Sequence, residues 1–85
     1  MWYVYILENE VMNYRYIGST GNLKRRLEQH KHGESKSTKP YLPLQLVSYI
    51  AVNSELKARK LERYLKTGSG KAILKKRILQ TGASV

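Results

Sequence analysis

The stretch Tyr16-Ile17-Gly18-Ser19-Thr20-Gly21-Asn22-Leu23-Lys24-Arg25-Arg26-Leu27-Glu28-Gln29-His30 most constrains what this chain can fold into. It reads as a strand end, a tight turn and a helix. Gly18 and Gly21 supply the backbone freedom of a sharp strand-to-helix turn. Asn22, or Thr20 beside it, is the expected helix N-cap. Arg26 and His30 stand four apart and share a helix face, with Leu23 and Leu27 as the adjoining apolar stripe. One turn therefore gathers a phenol, a guanidinium and an imidazole at the rim of a core.

The rest of the chain supplies partners for this unit. Trp2-Tyr3-Val4-Tyr5-Ile6-Leu7 is a short, nearly continuous run of aromatic and β-branched residues, which favours a buried first strand. Trp2, Val4 and Ile6 would share one face, and Tyr3, Tyr5 and Leu7 the other. Glu8 to Asn13 suits a hairpin loop, and Tyr14 to Gly18 the returning strand. The first helix is expected over 22–32, closed by Gly33. Residues 34–43 hold Pro40 and Pro43, which exclude a continuous helix. Lys36, Ser37, Thr38 and Lys39 make this loop a candidate phosphate contact, though an ordinary surface loop has the same composition. Residues 44–52 read as a third strand. Asn53 or Ser54 would cap a second helix running to about Lys66. Thr67-Gly68-Ser69-Gly70 reads as a break, and a last basic helix is expected over 71–80 with Leu74 and Ile78 inward. The tail from Thr81 to Val85 is expected to fray.

Within the second helix, Ala58, Leu61, Glu62 and Leu65 fall at the spacing of a core-facing stripe. Glu62 interrupts that stripe with a carboxylate, and a carboxylate at a buried face needs a partner. Arg59 or Lys66 on its own helix, Arg26 across the core, or a metal ion would each serve. Glu55 sits in the first helical turn, where a carboxylate favours the helix dipole.

Tyr3-Val4-Tyr5, the Tyr16-Ile17-Gly18 triplet, Arg26, His30 and Glu62, in that order, resemble the GIY-YIG nuclease superfamily, from Trp2 to about Lys76. The likeness is greatest to its small stand-alone bacterial members. It implies an α/β (α+β) fold: a three-stranded antiparallel sheet flanked by three helices, in the order β-β-α-β-α-α. It implies Tyr5, Tyr16, Arg26, His30 and Glu62 as catalytic residues and Glu62 as the ligand of one magnesium (or manganese) ion. The implied reaction is hydrolysis of a phosphodiester to a 5′-phosphate and a 3′-hydroxyl, in DNA repair or recombination. The chain departs from the family at the first triplet, where only Tyr5 of GIY is kept. The asparagine that many members carry after the glutamate helix is also missing, since no Asn follows Asn53.

Charge bears on the partner. Sixteen Lys and Arg against six acids give +10, which points to a polyanion, nucleic acid first, with DNA ahead of RNA. Lys24, Arg25, Lys31, Lys36, Lys39, Arg63 and Lys66 are the expected contacts. At 85 residues one domain spanning 1–85 is expected, and a hydrophobic fraction of 41% argues for a folded one. The lack of cysteine excludes disulfides and thiolate metal sites and suits a cytoplasmic protein. No apolar run reaches the length of a membrane span. Two other readings stay open: a nucleic-acid-binding module with an idle nuclease site, and an RNA- or ribosome-associated basic protein. If the basic faces carry binding, the logarithm of DNA affinity should fall with the logarithm of salt by about −0.9 per phosphate neutralised. A titration by fluorescence anisotropy at several salt concentrations measures that slope.

Overall fold

A computed structural model describes residues 1–75 of the chain. Its order is β1 (Trp2–Asn9), β2 (Tyr14–Thr20), α1 (Leu23–Lys31), β3 (Gln45–Val52), α2 (Glu55–Leu65) and α3 (Gly68–Ile73). A 3-10 turn at Lys39–Tyr41 interrupts the loop before β3. The strands form one antiparallel sheet in the order β2-β1-β3. This is the β-β-α-β-α-α arrangement expected from the sequence.

The central place of β1 explains its composition. A strand paired on both sides and covered on both faces has no solvent face, so apolar residues need not alternate with polar ones. Val4, Tyr5, Ile6 and Leu7 are all buried. Val4 and Ile6 point to one layer, where they meet Ile17, Ala58, Leu65 and Leu74, with Trp2 and Leu61 packed alongside. Each buried Val, Ile or Leu among them contributes about 1.5–3 kcal/mol. The Ala58, Leu61 and Leu65 stripe of α2 is therefore the lid of the main core, as its spacing predicts.

The opposite face, under α1, is built differently. The buried residue of α1 is His30, whereas Leu23 and Leu27 are only half-buried. This helix docks through polar contacts to Tyr5 more than through its leucines.

Local signals set the boundaries. Asn22 caps α1 by accepting from the Arg25 amide, and Ser54 caps α2 by accepting from that of Lys57. Gly33 follows α1 at φ +72, a left-handed conformation suited to glycine. In the β1–β2 turn Asn13 takes φ 52, which asparagine tolerates better than most residues. The start of the last helix differs from expectation. Thr67 accepts from the Gly70 amide and caps a helix that begins at Gly68, so the Gly68-Ser69-Gly70 segment is helical and not a break. Leu74 is buried as expected. Ile78, the expected end of that helix and the tail from Thr81 to Val85 lie outside the described residues.

Gly18 has another role than the one its turn-like setting suggests. It sits inside β2, opposite Tyr5 of β1. A Cβ at this position would lie 2.6 Å from the Tyr5 hydroxyl oxygen and 2.9 Å from the Tyr16 ring. Glycine is needed here for space, because the Tyr5 phenol lies across the strand. Gly18→Ala should therefore lower stability by about 1–3 kcal/mol through overpacking. Gly68→Ala, where a new Cβ would meet nothing within 4 Å, should change it by less than about 0.5 kcal/mol. Urea denaturation of the two variants makes the comparison.

Candidate active site

The site begins with a phenol that has no access to water. Tyr5 is fully buried on β1, yet its hydroxyl is polar and must be paired. It lies 2.8 Å from His30 Nε2 and accepts from Arg26 Nε at 3.2 Å. Both partners come from α1, one turn apart, as their spacing predicts. Arg26 also donates from Nη1 to Gln29 Oε1 at 3.0 Å, which fixes the plane of the guanidinium. Tyr16 stands on β2 on the same side of the sheet as Tyr5. The Tyr16 ring is 6.1 Å from that of Tyr5 and 5.3 Å from the His30 imidazole, centroid to centroid. Unlike Tyr5, Tyr16 is partly open to solvent.

His30 is held from its other side as well. Its Nδ1 lies 2.8 Å from the hydroxyl of Thr38, which is fully buried. The expectation that Thr38 helps hold phosphate is therefore corrected: it faces inward, while Lys36, Ser37 and Lys39 are exposed. Two contacts tie its loop to the sheet. Tyr41 stacks on Tyr14 with centroids 3.7 Å apart, and Asn9 Nδ2 donates to the Tyr41 carbonyl.

The protonation states follow from this setting. Burial pushes the Tyr5 phenol up to about 12, against the pull of Arg26. The hydrogen bond to Tyr5 keeps Arg26 charged, above its ordinary value. Burial, and next the positive charge of Arg26, hold His30 below its ordinary value. The buried pair is a neutral phenol and a neutral imidazole beside one permanent cation.

Glu62 lies elsewhere than beside the two phenols. Ser19 pairs with Val4 and faces α2, on the sheet side opposite Tyr5. There the Ser19 hydroxyl donates to Glu62 Oε1 at 2.6 Å, and Lys66 Nζ donates to Oε2 at 2.7 Å. Burial pushes this carboxyl up, but the bonds from Lys66 and Ser19 outweigh it and hold the group below its ordinary value. Of the partners open to Glu62 on sequence grounds, the structure has Lys66; Arg59 is paired with Glu55 instead.

Arg26 joins the two halves. Because β2 is an edge strand, the side chain can reach past its end. Trp2, Ser19, Thr20, Arg26, Arg59, Glu62, Arg63 and Lys66 line one open groove. Tyr16 lies along the same strand in a neighbouring groove with Arg15, Lys66 and Lys71. Of the expected phosphate contacts, Arg63 and Lys66 line the Arg26 groove. Lys24, Arg25 and Lys31 are exposed on α1, and Lys36 and Lys39 on the following loop.

A family model described as the GIY-YIG catalytic domain matches residues 1–77 of this chain. The chain belongs to the GIY-YIG family. No curated protein and no solved structure matches it. The family is one of endonucleases, which act on nucleic acid, and the positions of the YIG triplet acquire a physical reading here. Tyr16 faces the imidazole, Ile17 enters the core and Gly18 makes room for Tyr5.

Sequence reasoning missed Ser19, and took Thr38 for a phosphate contact and not for a partner of His30. Ser19 had a signal, since strand alternation places it opposite Gly18 and toward α2. Thr38 had none, because its loop was long and polar. The groove also suits a hard cation in one respect. Among the described residues no three His, Cys, Asp or Glu are grouped to hold a metal. A single carboxylate with one hydrogen bond on each oxygen, open to a groove, still keeps lone pairs free. Such a set fits an ion that takes most of its ligands from water and phosphate. No helix of the described residues is long and apolar enough to cross a membrane.

The low position of His30 sets a pH dependence of stability. Unfolded, it titrates near its ordinary 6.5; folded, it does so lower, so the unfolded chain binds more protons as pH falls. Stability present above that ordinary value is lost as pH drops through the folded one. The melting temperature should thus decline between about pH 7 and pH 5, and His30→Gln should flatten this part of the profile. Glu62 acts in a separate window, below its ordinary 4.5.

Proposed function

We propose that this GIY-YIG domain is a divalent-metal-dependent endonuclease that hydrolyses phosphodiester bonds in DNA, leaving a 5′-phosphate and a 3′-hydroxyl. The observation that carries this reading is the position of Arg26. Its side chain hydrogen-bonds Tyr5 and also lines the groove that holds Glu62. A phosphate in that groove would meet a guanidinium whose geometry suits bidentate contact with non-bridging oxygens. That contact strengthens as charge develops in the transition state.

Glu62 is the residue that would hold magnesium or manganese, and Ser19 fixes the direction of its carboxylate. When bound, the ion would supply Lewis-acid polarisation of the phosphate. Arg59, Arg63 and Lys66 would position the nucleic-acid backbone on either side. Tyr16 is the phenol that solvent reaches, which supports a role for it in orienting the attacking water. The Tyr5–His30 pair behind it would stay neutral and hold the Arg26 guanidinium toward the phosphate. A role in DNA repair or recombination belongs to the same proposal.

Glu62→Gln should abolish metal-dependent plasmid nicking while leaving DNA affinity intact or slightly raised. Arg26→Ala should slow cleavage by roughly 100-fold or more, and Arg25→Ala far less, since Arg25 points to solvent. Retained nicking in Glu62→Gln would overturn the assignment. One observation favours the second reading, an idle binding module: the Lys66 ammonium already neutralises Glu62. DNA binding without cleavage in the wild-type protein, with either metal, would decide for that reading.

A further inference from the structure

We infer that Thr38 is a positioning residue that locks His30 in the tautomer carrying its proton on Nδ1, so that Nε2 is a committed acceptor for the Tyr5 hydroxyl proton. The inference rests on the nuclease reading for its use in catalysis, but its structural content stands apart from it.

It follows from a complete accounting of buried protons. Tyr5, His30 and Thr38 form one hydrogen-bonded chain closed to water, at 0%, 2% and 0% exposure. Two directions are open to it. In the first, His30 Nδ1–H donates to the Thr38 oxygen, 2.8 Å away. Thr38 then donates its own proton to the Ser35 carbonyl at 3.5 Å. On the other side Tyr5 donates to Nε2 at 2.8 Å while its oxygen accepts from Arg26 at 3.2 Å. Every proton has an acceptor. In the second direction Thr38 donates to Nδ1 and Nε2–H donates to Tyr5. The Tyr5 oxygen then takes two donations, from His30 and Arg26, and its own proton is left only the neighbouring Tyr16 hydroxyl, with which it makes no well-formed hydrogen bond. A buried hydroxyl with an orphaned proton costs about 1–3 kcal/mol. A doubly protonated imidazole meets the same obstacle and would also lie beside Arg26.

The loop that carries Thr38 is built to keep it there. Its 3-10 turn begins directly after Thr38, and Tyr41 within that turn is fastened to the sheet by the Tyr14 stack and by Asn9. The basic, hydroxyl-rich loop thus has two sides. Its lysines face solvent, and its one fully buried threonine sets the imidazole.

The test is nitrogen-15 NMR of the histidine side chains in the full chain. In the wild-type protein at neutral pH, His30 should show a protonated Nδ1 and an unprotonated Nε2. Thr38→Val keeps the shape and removes the oxygen, and should lose this preference; Thr38→Ser should restore it. If the domain is an active nuclease, Thr38→Val should lower kcat at least tenfold with KM nearly unchanged, and Thr38→Ser should recover it. A wild-type His30 protonated on Nε2 overturns the inference even if Thr38→Val does not fold. So does an unchanged tautomer in a folded Thr38→Val. A fixed Nδ1–H form that Thr38→Val abolishes, in a protein without nicking activity, upholds the positioning role and overturns the nuclease reading alone.

Discussion

The structure depends on the burial of one phenol hydroxyl at the centre of the sheet. Tyr5 stands on the middle strand, between Gly18 and Tyr49 of the flanking strands, and is fully buried. A hydroxyl there is tolerable only if both its donor and acceptor capacities are met. That requirement recruits Arg26 and His30, and so decides how α1 lies against the sheet. It also decides the residue at position 18, because the phenol reaches its partners by crossing β2. The first helix is consequently attached by directional bonds, where α2 is attached by area. Removing the Tyr5 oxygen would leave Arg26 and His30 each short of one partner.

Edge position is the second organising fact. Among the described residues, β2 has β1 on one side and no strand on the other. Its alternate residues address two layers, with Tyr16 and Gly18 toward α1, and Ile17 and Ser19 toward α2. A central strand could not do this for a site that must admit a bulky polymer. At an edge, the two half-sites are separated by the thickness of one strand, and a long side chain can join them around its end. Arg26 has that reach, and its permanent charge suits a position that touches both a phenol and a groove containing a carboxylate.

The legible parts of this architecture are those written in periodicity and caps. The apolar run of β1, the four-residue step between Arg26 and His30, and the Ala58, Leu61 and Leu65 stripe each act through local geometry. Asn22 and Ser54 likewise announce their helices. What was not legible depended on contacts between distant segments. Gly18 looked like a turn glycine because the clashing atom belongs to Tyr5, thirteen positions earlier. Thr38 looked like a surface residue because its loop is polar, and only the fold carries it under His30. Glu62 was legible as a carboxylate needing compensation, but not as one on the far side of the sheet from the phenols. The helical start at Gly68 defied propensity because the Thr67 hydroxyl supplies a cap and because Gly70 packs against the Tyr64 carbonyl, where a Cβ has no room.

The electrostatics of the groove connect these features. Among the described residues, Glu62 is the single acid beside Arg26, Arg59, Arg63 and Lys66 along its lining. It stays ionised because Lys66 and Ser19 bind its charged form. Lys66 is half-exposed, however, and an exposed ammonium is a loosely held counter-ion. An anionic backbone entering the groove would compete for Lys66 and draw it away from the carboxylate. The carboxylate would then gain a free oxygen at the moment that phosphate arrives beside it. On the proposed nuclease reading, a cation at Glu62 would be held more firmly with the polyanion present than without it, because the phosphate both releases Glu62 and adds ligands of its own. Cation and nucleic acid would therefore bind with positive coupling, and by linkage each should raise the affinity of the other by the same factor.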